Sequence, residues 1–171
     1  NLLDTGLSYD EIIGSIRQDG SGTLLGTIEF FPEEGKYHYD GHRKCDVCWN
    51  PLQTLETGGI CPRCGRKVTI GVLNRAAELS DRNDVFGGKH RLPYYSLIPL
   101  KEILSEIVGT GANSQRVRRA YNRLIGTLGP ELEILLERDT EDIEAKGTDV
   151  LAEAVRRLRE RRVMVREGFD G

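Results

Sequence analysis

Two closely spaced thiol pairs, Cys45-Asp46-Val47-Cys48 and Cys61-Pro62-Arg63-Cys64, restrict this chain more than any other feature. Each CxxC turn presents two sulfurs to one ion, and residues 49–60 are long enough to fold back as a short hairpin, so the spacing predicts four thiolates around one tetrahedral zinc. A shell closed by four thiolates leaves no position for water, which makes the expected Zn2+ structural rather than catalytic. Disulfides would need an oxidising compartment, and no signal peptide or apolar spanning segment is visible. A thioredoxin-like dithiol would explain one pair and leave the other idle. His42, three residues before Cys45, competes for one position in the shell, at the expense of orphaning a cysteine.

The rest of the chain is arranged about this knob. Gly58-Gly59 and Gly65 give it backbone freedom, Trp49 and Pro51 cover one side, and Val68, Ile70 and Val72 alternate as a strand leaving it. A zinc ribbon-like subdomain is expected over 41–72. Upstream, Ser8 caps a helix with Glu11 in the capping-box position, and Leu24–Phe31 reads as a strand stopped by Pro32. One helix and one strand make residues 1–40 read as the end of a preceding domain with its linker. Asn1 in place of an initiating methionine and the ending Phe169-Asp170-Gly171 fit a piece of a longer protein. Downstream, 73–171 reads as mainly helical. Helices are expected over 72–82, from Pro99 or Leu100 to Val108, from Asn113 or Ser114 to Leu128, over 131–136 and 140–145, and over 149–162. Their apolar sides carry Leu100, Ile103, Leu104, Ile107, Val117, Tyr121, Leu124, Leu128, Val150, Leu151, Ala154, Val155 and Leu158. Residues 92–99 are held extended by prolines. The fold class is α+β, a four-cysteine zinc ribbon-like knob joined to a mainly α-helical domain, with an N-terminal remnant of a preceding catalytic domain.

A formal charge of −3 over 171 residues excludes a simple polybasic binding domain. It does not exclude nucleic acid, because the distribution of charge matters more than its sum. Lys36, Tyr37, His38, Tyr39, Arg43 and Lys44 are suited to approach a nucleic-acid backbone or stack on a base; the competing reading is a solvated linker whose tyrosines pack on the knob. Lys89 and Arg91 sit in a glycine-rich basic loop. Arg116, Arg119 and Arg123 share one helical side, with Arg118 nearby, just after Gly109–Ser114, where terminal amides and guanidinium groups can cooperate around a phosphate. A solvated face paired with local acids is the alternative. A further positive run, Arg156 to Arg162, is balanced in part by Glu153 and Glu160. The opposite faces of these helices are needed for a core, so insertion into a membrane is not expected.

The stretch Gly26-Thr-Ile-Glu-Phe-Phe-Pro-Glu-Glu-Gly-Lys-Tyr-His-Tyr-Asp-Gly-His-Arg-Lys-Cys45, the cysteine motif, and Gly71-Val-Leu-Asn-Arg-Ala-Ala-Glu-Leu-Ser-Asp-Arg82 resemble the endonuclease Q family. So do Leu92-Pro-Tyr-Tyr-Ser-Leu-Ile-Pro-Leu-Lys-Glu-Ile103 and Val165-Arg-Glu-Gly-Phe-Asp-Gly171. The resemblance implies a DNA-repair nuclease that cuts on the 5′ side of deaminated bases or abasic lesions. It further implies an N-terminal polymerase-and-histidinol-phosphatase-like domain, outside this chain, that holds the catalytic divalent metals. Only Cys45, Cys48, Cys61 and Cys64 carry over as zinc ligands, and no catalytic residue does. Damaged DNA and the preceding catalytic domain are then the partners, and the location is cytoplasmic or nucleoid-associated. The competing readings are a non-catalytic interdomain or protein-interaction scaffold, and an independent metal-dependent nuclease built from His38, Asp40, His42 and nearby glutamates.

Overall fold

The computed structural model describes residues 1–19, 22–81 and 92–170. Two compact units emerge: Asn1–Phe30 with Leu92–Val163, and Phe31–Arg91 with Met164–Gly171. These units are discontinuous in sequence, unlike the expected divisions at 40 and 72. The reason is non-local strand pairing.

In the first unit, β1 (Leu2–Asp4) runs antiparallel to β2 (Thr23–Glu29), which pairs in parallel with β5 (Tyr94–Ser96), giving the order β1-β2-β5. The register Thr27↔Tyr94, Ile28↔Tyr95 and Glu29↔Ser96 ties the N-terminal residues to the helical region. Between β1 and β2 lies α1 (Tyr9–Arg17), whose Ser8 side chain accepts from the Glu11 amide. Glu11 does not close a reciprocal box; its carboxylate accepts from the Ser8 hydroxyl at 2.5 Å.

Five helices follow β5: α4 (Leu100–Val108), α5 (Gln115–Leu128), α6 (Glu131–Leu136), α7 (Thr140–Lys146) and α8 (Asp149–Arg159). Ser114 and Thr148 cap α5 and α8 through their side chains, as helix starts demand. The core takes the apolar stripes: Leu100, Ile103 and Leu104 from α4, Val117, Leu124 and Leu128 from α5, and Ile134, Leu135, Ile143, Leu151, Val155 and Leu158 from the last three. Each fully buried side chain of this kind contributes roughly 1.5–3 kcal/mol. Val150, expected inward, is 52% exposed; at the second residue of α8 it lies one position off the Leu151, Val155, Leu158 stripe.

The ends of α1, α4 and α8 are closed by left-handed residues. At α4, Gly109 (φ 68) bonds back to Glu106 while Thr110 reaches Ser105; at α8, Arg161 (φ 56) bonds to Leu158 while Arg162 reaches Arg157. This is the same paired closure, with arginine in the second case where glycine is usual. The tighter closure ends α8 at Arg159, before the expected 162. Gln18 (φ 60) ends α1 in like manner.

In the second unit, β3 (Asp40–His42) pairs antiparallel with β4 (Val47–Trp49). The expected hairpin between the thiol pairs is replaced by α2 (Pro51–Glu56), because Asn50 and Gln53 cap each other reciprocally and Pro51 stands at the first turn. The expected strand through Val68, Ile70 and Val72 is reduced to single bridges, Gly41↔Thr69 and Ile60↔Lys67, since Gly71 already caps α3 (Val72–Leu79). The residues 164–170 return to this unit: Tyr39 N–H donates to Gly168 and Gly168 N–H to Glu33. No helix among the described residues is long and apolar enough to cross a membrane.

Candidate metal centre and basic helix

Alternation along β3 and β4 decides which donors meet. In an antiparallel pair, opposed residues put their side chains on the same face, and successive residues alternate. His42 opposes Val47, Asp40 opposes Trp49, and Gly41 opposes Cys48. Val47 packs with Cys61 and Val68, and Cys45 and Trp49 lie against that cluster. His42 therefore shares the face of Val47, whereas Cys48 projects from the other.

The structure accordingly groups His42, Cys45, Cys61 and Cys64, with one donor atom from each lying within 4.8 Å of the rest. Cys64 Sγ is 3.3 Å from His42 Nδ1. Cys48, expected as the fourth ligand, is outside this group; burial first and the Glu167 charge second push its thiol pKa up. Burial opposes ionisation of Cys61, yet hydrogen bonds from His42, the Arg63 and Cys64 amides and the Cys64 thiol outweigh it and bring its pKa to about 6. Cys45 moves the other way, pushed up to about 11 by burial and by its contacts with Cys64 and Cys61. Three sulfurs and an imidazole are a donor set that zinc accepts. Among the described residues, this is the one such group of metal-ligating side chains.

Beneath the cluster, Asp40 is fully buried and its carboxylate ties three elements together. It accepts from the Gly71 amide at 2.6 Å, the Asn74 side-chain amide at 2.5 Å and the Thr54 hydroxyl. Glycine is required at 71, because a Cβ there would stand 2.5 Å from the Tyr39 carbonyl. Asp40 thus has a structural occupation, which removes it from a nuclease built on His38, Asp40 and His42.

The remaining basic and aromatic candidates fall into different settings. Lys36 forms an ion pair with Asp170 at 3.2 Å and lies over the Tyr37 ring. Arg43 donates to the Phe169 carbonyl at 2.5 Å and covers the Phe169 ring. His38 stacks on Tyr39 with centroids 5.1 Å apart. Lys44 is exposed, and Lys89 and Arg91 lie outside the described residues. In α8, Arg156 and Arg157 pair with Glu153, and just beyond it Arg162 pairs with Glu160. Arg159 donates to the carbonyls of Leu135, Ile134 and Arg138, closing the end of α6.

Helix α5 differs. Arg116, Arg118, Arg119 and Arg123 are exposed, and none has an ion pair among the described residues. The sequence signal for this was present: residues 107–130 contain four arginines and no Asp or Glu, so no acid stands three or four positions away.

Two recesses lie in the same unit. One, of about 230 Å³, is apolar and bordered by Phe30, Leu132 and Leu135. The other, of about 160 Å³, is lined by Tyr94, Ser96, Leu136, Leu158 and Arg161 among others. Sequence reading missed it, since Tyr94 and Arg161 meet only through tertiary packing.

Residues 99–162 match the model of a family described as the MJ0043 C-terminal domain. The chain is 32% identical over 164 residues to the uncharacterized protein MJ0043 of Methanocaldococcus jannaschii, covering 96% of this chain and 20% of that protein. Its fold matches the lesion-specific endonuclease PfuEndoQ from Pyrococcus furiosus with a TM-score of 0.84 and 26% identity, over 97% of this chain and 41% of that one. It also matches endonuclease Q in complex with a 27-mer duplex with an abasic lesion at the active site, with a TM-score of 0.82 and 26% identity, over 97% and 42% of the two chains. The chain thus spans a fifth of the curated relative and about two fifths of each nuclease chain. Likeness in sequence and in fold together make it a homologue of the Pyrococcus endonuclease Q and of MJ0043.

Proposed function

We propose that this chain is the zinc-stabilised, DNA-engaging region of an endonuclease that cuts on the 5′ side of deaminated bases or abasic lesions. The observation that carries the reading is the arginine face of α5, free of acids on a homologue of a lesion-specific nuclease. Guanidinium groups at 116, 119 and 123 follow the helical spacings of three and four, while Val117, Leu124 and Leu128 fill the core, so phosphate binding and folding use different residues. Zinc held by His42, Cys45, Cys61 and Cys64 has a structural role: it fixes the turn after β3 to the Cys61–Cys64 knuckle. The catalytic divalent metals belong to a polymerase-and-histidinol-phosphatase-like part of the longer protein. Damaged DNA is the partner, and the location is cytoplasmic or nucleoid-associated.

The test is binding of the longer parent protein to damaged and undamaged duplexes across a salt series, with Arg116, Arg119 and Arg123 changed together to Gln. Three lost phosphate contacts lower the slope of log affinity against log salt by about 2.7, at about 0.9 per contact. Both duplexes weaken alike, because phosphate contacts position rather than specify. Unchanged affinity and slope in a folded variant favour the second reading, an interdomain scaffold. A specific observation supports that one too: Leu52 and Leu55 on α2, and Val72 and Leu79 on α3, are each at least 66% exposed.

A further inference from the structure

We infer that the recess beside β5 takes a single unstacked nucleobase, stacked on Tyr94 beside the Arg161 guanidinium. The inference rests on the DNA-engaging reading above and names a contact within it. At about 160 Å³ the recess is smaller than the sites that hold drug-sized ligands, and it suits one flat ring. Its floor is apolar, from Leu97, Leu136 and Leu158. No carboxylate among the described residues lines it, so a cationic ligand finds no counter-charge among them.

Three polar features converge there. Tyr94 is half exposed, and the Arg161 guanidinium lies 4.7 Å from its ring centroid, so a π-face and a planar fork of donors stand together. Arg161 makes no ion pair among the described residues. Ser96 is 5% exposed, and its hydroxyl is buried without a hydrogen-bond partner among the described residues. A buried hydroxyl is ordinarily satisfied; this one, on a residue that lines the recess, would have to turn toward it to bond a ligand's edge. Arg159 lines the recess as well, but its guanidinium is committed to three carbonyls and serves as wall.

The backbone supplies an independent argument. Arg161 occupies the left-handed position that glycine fills at the matching closure of α4. Keeping a side chain there is conformationally unfavourable, and such outliers collect at ligand clamps. The side chain kept at that cost is the one that covers Tyr94. A ring with a stackable face and acceptors on its edge answers all three features, and a nucleobase is the ring that the acid-free arginines of α5, in the same unit, would bring near.

The test uses this chain and a short thymidine oligonucleotide carrying one central 2-aminopurine. Affinity is read by anisotropy, and burial of the base by protection of 2-aminopurine emission from acrylamide. The bound wild type shields the base. Tyr94→Ala lowers affinity about tenfold and removes the shielding, within the range of one lost base–aromatic stack. Tyr94→Phe retains both. Arg161→Gly relieves the left-handed strain, so it keeps the fold while reducing affinity several-fold. An exposed 2-aminopurine in the wild-type complex overturns the inference, as do Tyr94→Ala and Arg161→Gly variants indistinguishable from wild type. If those variants are silent while the triple Arg→Gln change on α5 weakens binding, the base site fails and DNA engagement stands. If the wild type binds no oligonucleotide at low salt, both fail together. Binding of N-acetyl-tryptophanamide more tightly than the oligonucleotide, lost in Tyr94→Ala, overturns the nucleobase in favour of an aromatic side chain from a protein partner.

Discussion

Changing His42 to Ala and, separately, Cys48 to Ser distinguishes two ways of building the metal centre. Zinc with sulfur at about 2.3 Å and nitrogen at about 2.0 Å sets tetrahedral donors about 3.5–3.8 Å apart. The four donors observed lie within 4.8 Å of one another, and the His42 Nδ1 to Cys64 Sγ pair is already at 3.3 Å. Closing the widest pair by about 1 Å completes that shell. Bringing in Cys48 is a different matter. Its side chain leaves β4 on the face opposite Val47, so it joins only if β4 slips by one residue, which would withdraw Val47 from the core. Structural zinc contributes about 10–16 kcal/mol in small zinc-dependent folds, so one donor in four is worth about 3 kcal/mol, or roughly a hundredfold in affinity. His42→Ala should therefore weaken zinc binding about a hundredfold. Cys48→Ser should retain one zinc per chain, with affinity changed less than about threefold, since it removes no donor. Competition against a chromophoric chelator under reducing conditions, with elemental analysis of the folded protein, measures both. Loss of zinc from Cys48→Ser together with retention in His42→Ala would refute the register argument and restore the four-thiolate shell.

Two further outcomes follow from the buried polar groups. Asp40→Ala strands the Gly71 amide, the Asn74 amide and the Thr54 hydroxyl, and should cost about 3–5 kcal/mol, read by urea unfolding through the single tryptophan, Trp49; a loss under about 1 kcal/mol would show that water replaces the carboxylate. Tyr121 donates to Glu131 at 2.8 Å, and Glu131 also accepts from the Leu100 amide at 2.7 Å, so Tyr121→Phe should cost about 1 kcal/mol. The hydrogen bond to Glu131, with burial, raises the phenol above its ordinary range. Its stabilisation is therefore complete below the ordinary tyrosine pKa of about 10 and is lost as pH rises through the raised value. Thermal unfolding of the two proteins should converge only in strongly alkaline buffer.

The parts legible in the sequence are those governed by local rules. The stripes of α4 and α5, the Ser114 cap and the bounds of α6 follow from periodicity and capping within a turn or two. The cap that makes α2 was equally local, since Asn50, Pro51 and Gln53 spell a helix start, but the cysteine spacing drew attention to a hairpin. What could not be read is what distant pairing decides. The parallel ladder from β2 to β5 joins residues about 67 positions apart and makes one unit of segments that read as separate. Cysteine spacing points to a metal site; which donors can form it depends on the β3–β4 register, which puts His42 on the face of Val47 and Cys48 on the other.

The basic residues show why net charge was a weak guide and local charge pattern a stronger one. Helices α5 and α8 carry similar numbers of arginines, and composition alone would give them the same role. In α8, Glu153 stands three and four positions before Arg156 and Arg157, so their charge is answered within the helix. Arg159 turns to backbone carbonyls, and Arg162 to Glu160. In α5 no acid occurs at any helical spacing, and its arginines have no ion pair among the described residues. An acidic protein can therefore present an acid-free cationic helix, because its excess of Asp and Glu lies elsewhere in the chain. Arg161 stands between these cases: it belongs to the paired run by sequence, yet its left-handed backbone takes it out of reach of the helix's acids and places it on Tyr94.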